Sequence, residues 1–208
     1  MDIWRINNYT DERFSKRVLF QHGCFLIEEK PYEIEIVSDK AAIVRGEKSE
    51  YFEELIEYFR FYTPHIYLFY DEDEQLIKEY DKPNVFEIAL KDVQPSQFYV
   101  DEDKIAAIKT FINNSEDIII QCIKYDNRFI SLDGHTRLYY AHLRGFERVR
   151  AVLSEIDDCI YDFVEEAISR GILEPKDLVL LSHMDYEKKW NLYCDNYFEN
   201  RLIEEQTE

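Results

Sequence analysis

The chain has 208 residues and a formal net charge of −19, with 46% hydrophobic residues, 16 Tyr and 14 Phe against only 5 Gly and 5 Pro. This composition excludes global disorder and a long flexible linker, and allows one large domain or two small ones around a real core. The acidity disfavours nucleic acid and anionic membrane surfaces as partners, since phosphate backbones are bound by cations that release counterions.

Residues 18–45 read as strands: Val18-Leu19-Phe20, Cys24–Ile27, Tyr32–Val37 and Ala41–Val44, parted by turn-like His22-Gly23, Lys30-Pro31 and Ser38-Asp39-Lys40. Ser49 reads as the N-cap of a helix from Glu50 to Phe61 with Phe52, Leu55, Ile56 and Phe59 on one face, ended by Pro64. His65–Tyr70 and Gln75–Tyr80 are further strands across the solvated acidic turn Asp71–Glu74. Asp81-Lys82-Pro83-Asn84 marks a domain boundary. Beyond it come a strand at Val85–Leu90, the segment Val93–Tyr99 and a helix from Glu102 to Asn113. A buried strand Ile118–Tyr125 turns through Asp126-Asn127 into Phe129–Leu132. Asp133–Arg137 then opens a helix that runs to Arg144, with Gly145 as a left-handed C-cap and Arg148–Leu153 as the next strand. The rest reads as helical: an amphipathic stretch from Asp157 to Arg170 closed by Gly171, and a long helix with Pro175 at its first position. Trp190, Tyr193 and Tyr197 on that last helix have the spacing of core residues.

Charge is unevenly spread. Residues 1–84 carry net −8, residues 85–155 net −2 and residues 156–208 net −9. Five of the 12 arginines fall between Arg128 and Arg150, opposed there only by Asp133 and Glu147. Within this island, Asp133-Gly134-His135-Thr136-Arg137 sits where a strand turns into a helix, which offers free N–H groups and the positive end of a helix dipole to an anion. Gly134 permits positive φ or close backbone approach, Asp133 holds Mg²⁺ through water or orients His135, and Arg137 clamps a phosphate. The bland alternative is a capped helix with a surface arginine. Arg148 and Arg150 share a strand face and either widen the phosphate site or pair with the acidic flanks, which is favoured. His65, His142 and His183 read as structural, and His22 as a turn residue whose other reading is a pocket wall. Cys24, Cys122, Cys159 and Cys194 are too widely spaced for a metal or redox pair; with no 18-residue apolar run, reduced thiols in a cytoplasmic protein are expected.

The order Pro95-Ser96-Gln97, helix, apolar strand, hairpin, apolar strand, Asp133–Arg137, helix, Gly145, strand resembles the ParB/sulfiredoxin superfamily from Pro95 to Ser154, roughly a third of the chain. Its nearest branch is the free serine kinases, whose motif Asp-Gly-His-His-Arg is matched at Asp133, Gly134, His135 and Arg137, with Thr136 in place of the second His. The resemblance implies an α+β fold: a β-rich N-terminal unit at 1–84, a nucleotide-binding ParB/sulfiredoxin-like domain at 85–155 and a helical extension at 156–208. It also implies that the turn cradles the phosphates of ATP, ADP or CTP with Mg²⁺. Asp133 would then organise the metal and His135; Gly134, His135, Thr136 and Arg137 would contact phosphate; and Arg137 would neutralise developing charge, with Asp133, His135 and Arg137 as catalytic residues and Ser96 and Gln97 at a substrate pocket. Three departures qualify this. His135 stands where sulfiredoxins carry their catalytic Cys; the tail lacks the basic character of a DNA-binding domain; and Gln97 replaces the kinases' Glu base, leaving Asp101 or Glu102 as the candidate base. The expected function is therefore a Mg²⁺-dependent small-molecule phosphotransferase or nucleotide hydrolase. The alternatives are a non-catalytic nucleotide sensor or interaction module, and a ParB-like nucleic-acid-associated protein, which requires the Arg128–Arg150 island to form an exposed stripe.

Overall fold

Two mixed sheets organise the computed structural model, which describes residues 2–155 and 158–205. The first is built from β1 (Ile3–Arg5), β2 (Cys24–Ile27), β3 (Lys30–Ile36), β4 (Ala41–Gly46), β5 (Leu68–Tyr70) and β6 (Leu76–Glu79), ordered β1-β2-β3-β4-β5-β6. Only β4 and β5 pair in parallel, because the crossover helix α2 (Phe52–Arg60) connects them; α1 (Lys16–Phe20) precedes β2. The helical spacing of Phe52, Leu55, Ile56 and Phe59 puts all four against Phe25, Ile34, Val44 and Phe69, with Leu55, Ile56 and Phe59 fully buried.

The second sheet contains β7 (Val85–Ala89), β8 (Val93–Pro95), β10 (Ile119–Tyr125), β11 (Arg128–Ser131) and β12 (Arg148–Leu153), ordered β7-β12-β10-β11-β8. Between them run β9 (Tyr99–Asp101), α3 (Glu102–Ile108) and α4 (His135–Leu143). Ile105, Ile108, Ile112, Leu138 and Ala141 pack on Ile120, Val149 and Ala151. Asp126, at φ 51, makes the two-residue hairpin between β10 and β11. Gly145, at φ 69, ends α4: its N–H donates to His142 O, and the Phe146 N–H to Ala141 O.

The remainder comprises α5 (Cys159–Ser169), β13 (Val179–Leu181), α6 (His183–Tyr186) and α7 (Leu192–Glu205), the last two joined by a π-helical turn at Glu187–Asn191. Among the described residues no helix is long and apolar enough to cross a membrane.

The chain is thus α+β, and four local expectations are corrected. Val18-Leu19-Phe20 is helical, because the Ser15 hydroxyl caps α1 by accepting from Val18 N–H and the turn buries Val18 and Leu19 beside Phe14 and Cys24. Ser49 lies in a 3₁₀ turn, Ser49–Tyr51, rather than capping α2. The helix expected to reach Asn113 ends at Ile108, and a further turn carries Ile112 into the core. Pro175 opens only a 3₁₀ turn, since Val179–Leu181 leave helical geometry to pair in parallel with Tyr99–Asp101. The long helix begins after Ser182, whose hydroxyl accepts from Asp185 N–H. Trp190 and Tyr193 do pack, around Phe98 and Phe163. The expected helix start at Asp157 lies outside the described residues.

Candidate functional site

The Asp133–Arg137 turn is held from three sides. Gly134 is the N-cap of α4 in the left-handed region, at φ 85, and a Cβ there would lie 2.8 Å from Ile120 Cγ2 and 3.1 Å from Arg137 Nη2. Only glycine fits without strain. Arg137 Nη1 donates to Ile119 O at 2.6 Å and Nη2 to Asp133 Oδ2 at 2.8 Å, so the guanidinium is fixed one turn after the carboxylate that flanks it. Asp133 lies at the floor of a cleft, ringed by protein, yet about half of its side chain (50%) remains accessible. Burial works against its ionisation, but the Arg137 guanidinium, the Gly134 N–H and Arg5 outweigh it and hold the carboxyl below the usual carboxylate range. The first-turn amides of His135, Thr136 and Arg137 have no acceptor within α4, whose first helical bond is Leu138 N–H to Gly134 O.

This turn lines a cavity of about 520 Å³ between the two sheets. The N-terminal wall contributes Arg5, Arg17, His22, Tyr62 and His65, the far end Gln97, Lys104 and Tyr186, and β12 contributes Arg150. Five basic residues line it (Arg5, Arg17, Lys104, Arg137, Arg150) against three acidic ones (Asp39, Asp117, Asp133), a reversal of the sign of the whole chain. Arg17 pairs with Glu35 and Arg150 with Asp39. Among the described residues Arg5 and Lys104 have no carboxylate within ion-pair distance. Arg5 stacks 4.0 Å over Tyr62 and donates to His22 O, while Lys104 lies 4.7 Å over Tyr186. Burial pushes the Lys104 ammonium down, opposed by Asp101 and Asp133. The Nε of Arg150 is buried with no acceptor among the described residues.

Three histidines surround this floor, all held neutral. His135 is 6% exposed; its Nε2 accepts from Ser96 N–H at 3.2 Å and lies 3.0 Å from Ser131 Oγ. An accepting Nε2 places the proton on Nδ1. Burial pushes its pKa down to about 4, with Asp133 opposing and Arg137 adding. His22, at φ 57, has Nε2 at 2.9 Å from Tyr9 Oη, and burial with Arg5 and Lys104 lowers it to about 3. His65 is 9% exposed, and burial with Arg137 and Arg150 lowers it to about 3 against Asp39 and Asp133.

The structure therefore brings Gly134, Thr136, Arg137, Asp133 and Gln97 to one cavity. It turns the His135 imidazole inward, where it ties α4 to Ser96 and Ser131, so that only the helix-start amide of His135 is left to serve a ligand. Ser96 is likewise interior, its hydroxyl donating to Ser131 O. The Gln97 amide is engaged by Tyr99 O and Tyr186 Oη. Neither candidate base lines the cavity. Asp101 is 1% exposed, caps α3 by accepting from Asp103 N–H and lies 2.7 Å from His183 Nδ1, while Glu102 is exposed on α3. The hydrogen bond to Asp101 raises the pKa of His183. Asp101, Asp103 and His183 hold ligand atoms within 4.8 Å of one another, a spacing compatible with one metal ion. In the cavity, Asp133 offers Mg²⁺ one carboxylate oxygen outside its Arg137 contact, a donor set that relies on ligand phosphates to complete it.

Arg5, Lys104, His65 and the His183–Asp101 pair had no local signal in the sequence; each acquires its place from residues far along the chain. The arginines of the island are engaged by neighbours, although Arg144 and Arg148 are exposed. Arg128 donates to Val93 O and Gln94 Oε1, Arg144 to Tyr140 Oη and Asn113 O, Arg148 to Glu87 and Arg150 to Asp39.

No family model and no curated protein matches the chain. Among solved structures, protein Atu1540 from Agrobacterium tumefaciens is similar at 15% identity and a TM-score of 0.34, over 47% of this chain and 62% of that one. The match thus spans less than two thirds of that protein's length, and a likeness this distant carries no argument about fold or function.

Proposed function

We propose that this protein binds a phosphate-bearing small molecule, most simply a nucleotide such as ATP, ADP or CTP with Mg²⁺, in the cavity between its two sheets. One observation carries the reading: in a chain of net charge −19, the cavity wall holds five cations against three carboxylates, at the N-terminus of α4. Desolvated cations such as Lys104 are costly unless an anion meets them, and a helix start with unpaired amides supplies directed donors for phosphate oxygens. The resemblance of the segment from Pro95 to Ser154 to the ParB/sulfiredoxin superfamily, nearest to the free serine kinases, supports the same ligand class.

The site favours binding over phosphoryl transfer. Asp101 is spent on His183 and the start of α3, Glu102 points to solvent, and Gln97 accepts no proton. The nucleotide-sensing reading is therefore preferred to the kinase or hydrolase reading. Calorimetric titration with ATP, ADP, CTP and inorganic phosphate, each with Mg²⁺ at low salt, tests it alongside a phosphate-release assay. Saturable binding without turnover is expected; no heat from any of them refutes the anion site, and rapid release refutes the non-catalytic reading.

A further inference from the structure

One cavity group is left over once the turn, the cations and the other histidines are accounted for. His65 lies outside the segment 85–155, just before β5, on the wall opposite α4. Its side chain is 9% exposed and lines the cavity, yet among the described residues neither ring nitrogen has a hydrogen-bond partner. The contrast with its neighbours is informative. His22 meets Tyr9, and His135 meets Ser96 and Ser131. Neither nitrogen is among the sealed, unsatisfied side-chain atoms of the described residues, which are Arg150 Nε and Ser154 Oγ, so the imidazole opens on the cavity and is free to meet a partner that arrives from outside.

The charged groups of the same cavity indicate which kind of partner. Arg137 from α4, Arg150 from β12, Asp39 from the turn between β3 and β4, and Asp133 from the start of α4 line it together with His65. Each guanidinium is already bound to one of these carboxylates, Arg137 to Asp133 and Arg150 to Asp39, and the Nε of Arg150 lacks an acceptor. An anionic oxygen placed there would accept from the imidazole N–H in a cavity whose cations outnumber its carboxylates five to three, an excess that would repel an ammonium.

We propose that His65 is a ligand-contacting residue of the cavity, donating its imidazole N–H to a tetrahedral oxyanion held between it and Arg137. This rests on the phosphate-binding reading above and extends it: the N-terminal sheet supplies one side of the phosphate site, and the ligand bridges the two sheets.

The test compares wild type with His65→Phe and His65→Gln in titrations with sulfate and with ADP. Phenylalanine fills the volume without a donor, and glutamine restores one. Loss of the contact is expected to weaken both ligands at least about tenfold in His65→Phe, with partial recovery in His65→Gln. The apo melting temperature of His65→Phe should stay close to that of wild type, because no protein hydrogen bond is lost; a histidine held by the fold would lower it. Independently of any variant, the imidazole resonances of His65 should shift on adding sulfate to wild type. Affinity within twofold of wild type in His65→Phe, or unmoved His65 resonances in a protein that does bind, overturns the proposal. If wild type binds neither ligand, the anion-site reading itself fails, and the role of His65 with it.

Discussion

Gly134→Ala tests the construction of the site directly. The residue sits at φ 85, where an L side chain costs about 1–2 kcal/mol relative to glycine. Its Cβ would also stand 2.8 Å from Ile120 Cγ2 and 3.1–3.2 Å from the Arg137 guanidinium. Ile120 is 1% exposed in the second core and cannot recede freely, so overpacking adds roughly 1–3 kcal/mol. The total of about 2–5 kcal/mol corresponds to a fall of roughly 4–20 °C in Tm for a chain of this size. Gly145→Ala is the internal control. It has the same handedness at φ 69 but meets nothing within 4 Å, so it carries only the conformational cost of about 1–2 kcal/mol. Thermal unfolding followed by near-ultraviolet circular dichroism measures both. The difference between the variants isolates the crowding at Ile120 and Arg137, and phosphate titration of folded Gly134→Ala should show weakened binding as the guanidinium is displaced. Equal Tm values for the two variants would refute the claim that the turn is sterically closed around glycine.

Two other consequences are open to measurement. His65 and His135 have folded pKa values near 3 and 4, below the unfolded value of about 6.5, so the unfolded state binds more protons as pH falls. Their contribution is therefore complete above about pH 6.5 and lost below it, at about 2 kcal/mol for each by pH 5; the raised pKa of half-exposed His183 acts in the opposite sense. Urea unfolding at pH 7 and pH 5 should show this loss, and a flat profile would contradict the neutral, buried assignment. Gln97→Glu replaces the donor to Tyr99 O with an acceptor, which should destabilise by about 1–3 kcal/mol and create no phosphoryl transfer. A gain of turnover in that variant would show that the residue's side chain turns toward the ligand after all.

What the sequence determined by itself is local. Periodicity placed α2 and the strands on either side of the Asp126-Asn127 hairpin, and Gly145 marked the end of α4, because spacing and φ preference act within a few residues. The α+β class and the strand-to-helix turn at Asp133–Arg137 were legible for the same reason. Where two local signals competed, tertiary contacts decided. Val18-Leu19-Phe20 has strand composition but follows Ser15, and burial beside Cys24 favoured the helix. Val179–Leu181 could continue a helix from Pro175, but the open edge of β9 offered hydrogen bonds to a strand. The site depended still more on the tertiary structure. Asp101 and His183 are 82 positions apart, and His65, Arg137 and Arg150 share a cavity only because segments far apart in the chain line it together. The motif's chemistry was also redistributed by packing: Arg137 is pinned to Ile119 O and Asp133, and the His135 imidazole is turned into the core. A short motif identifies residue types able to meet an anion, whereas their orientation, protonation and opposing wall come from burial and from charges contributed by distant segments.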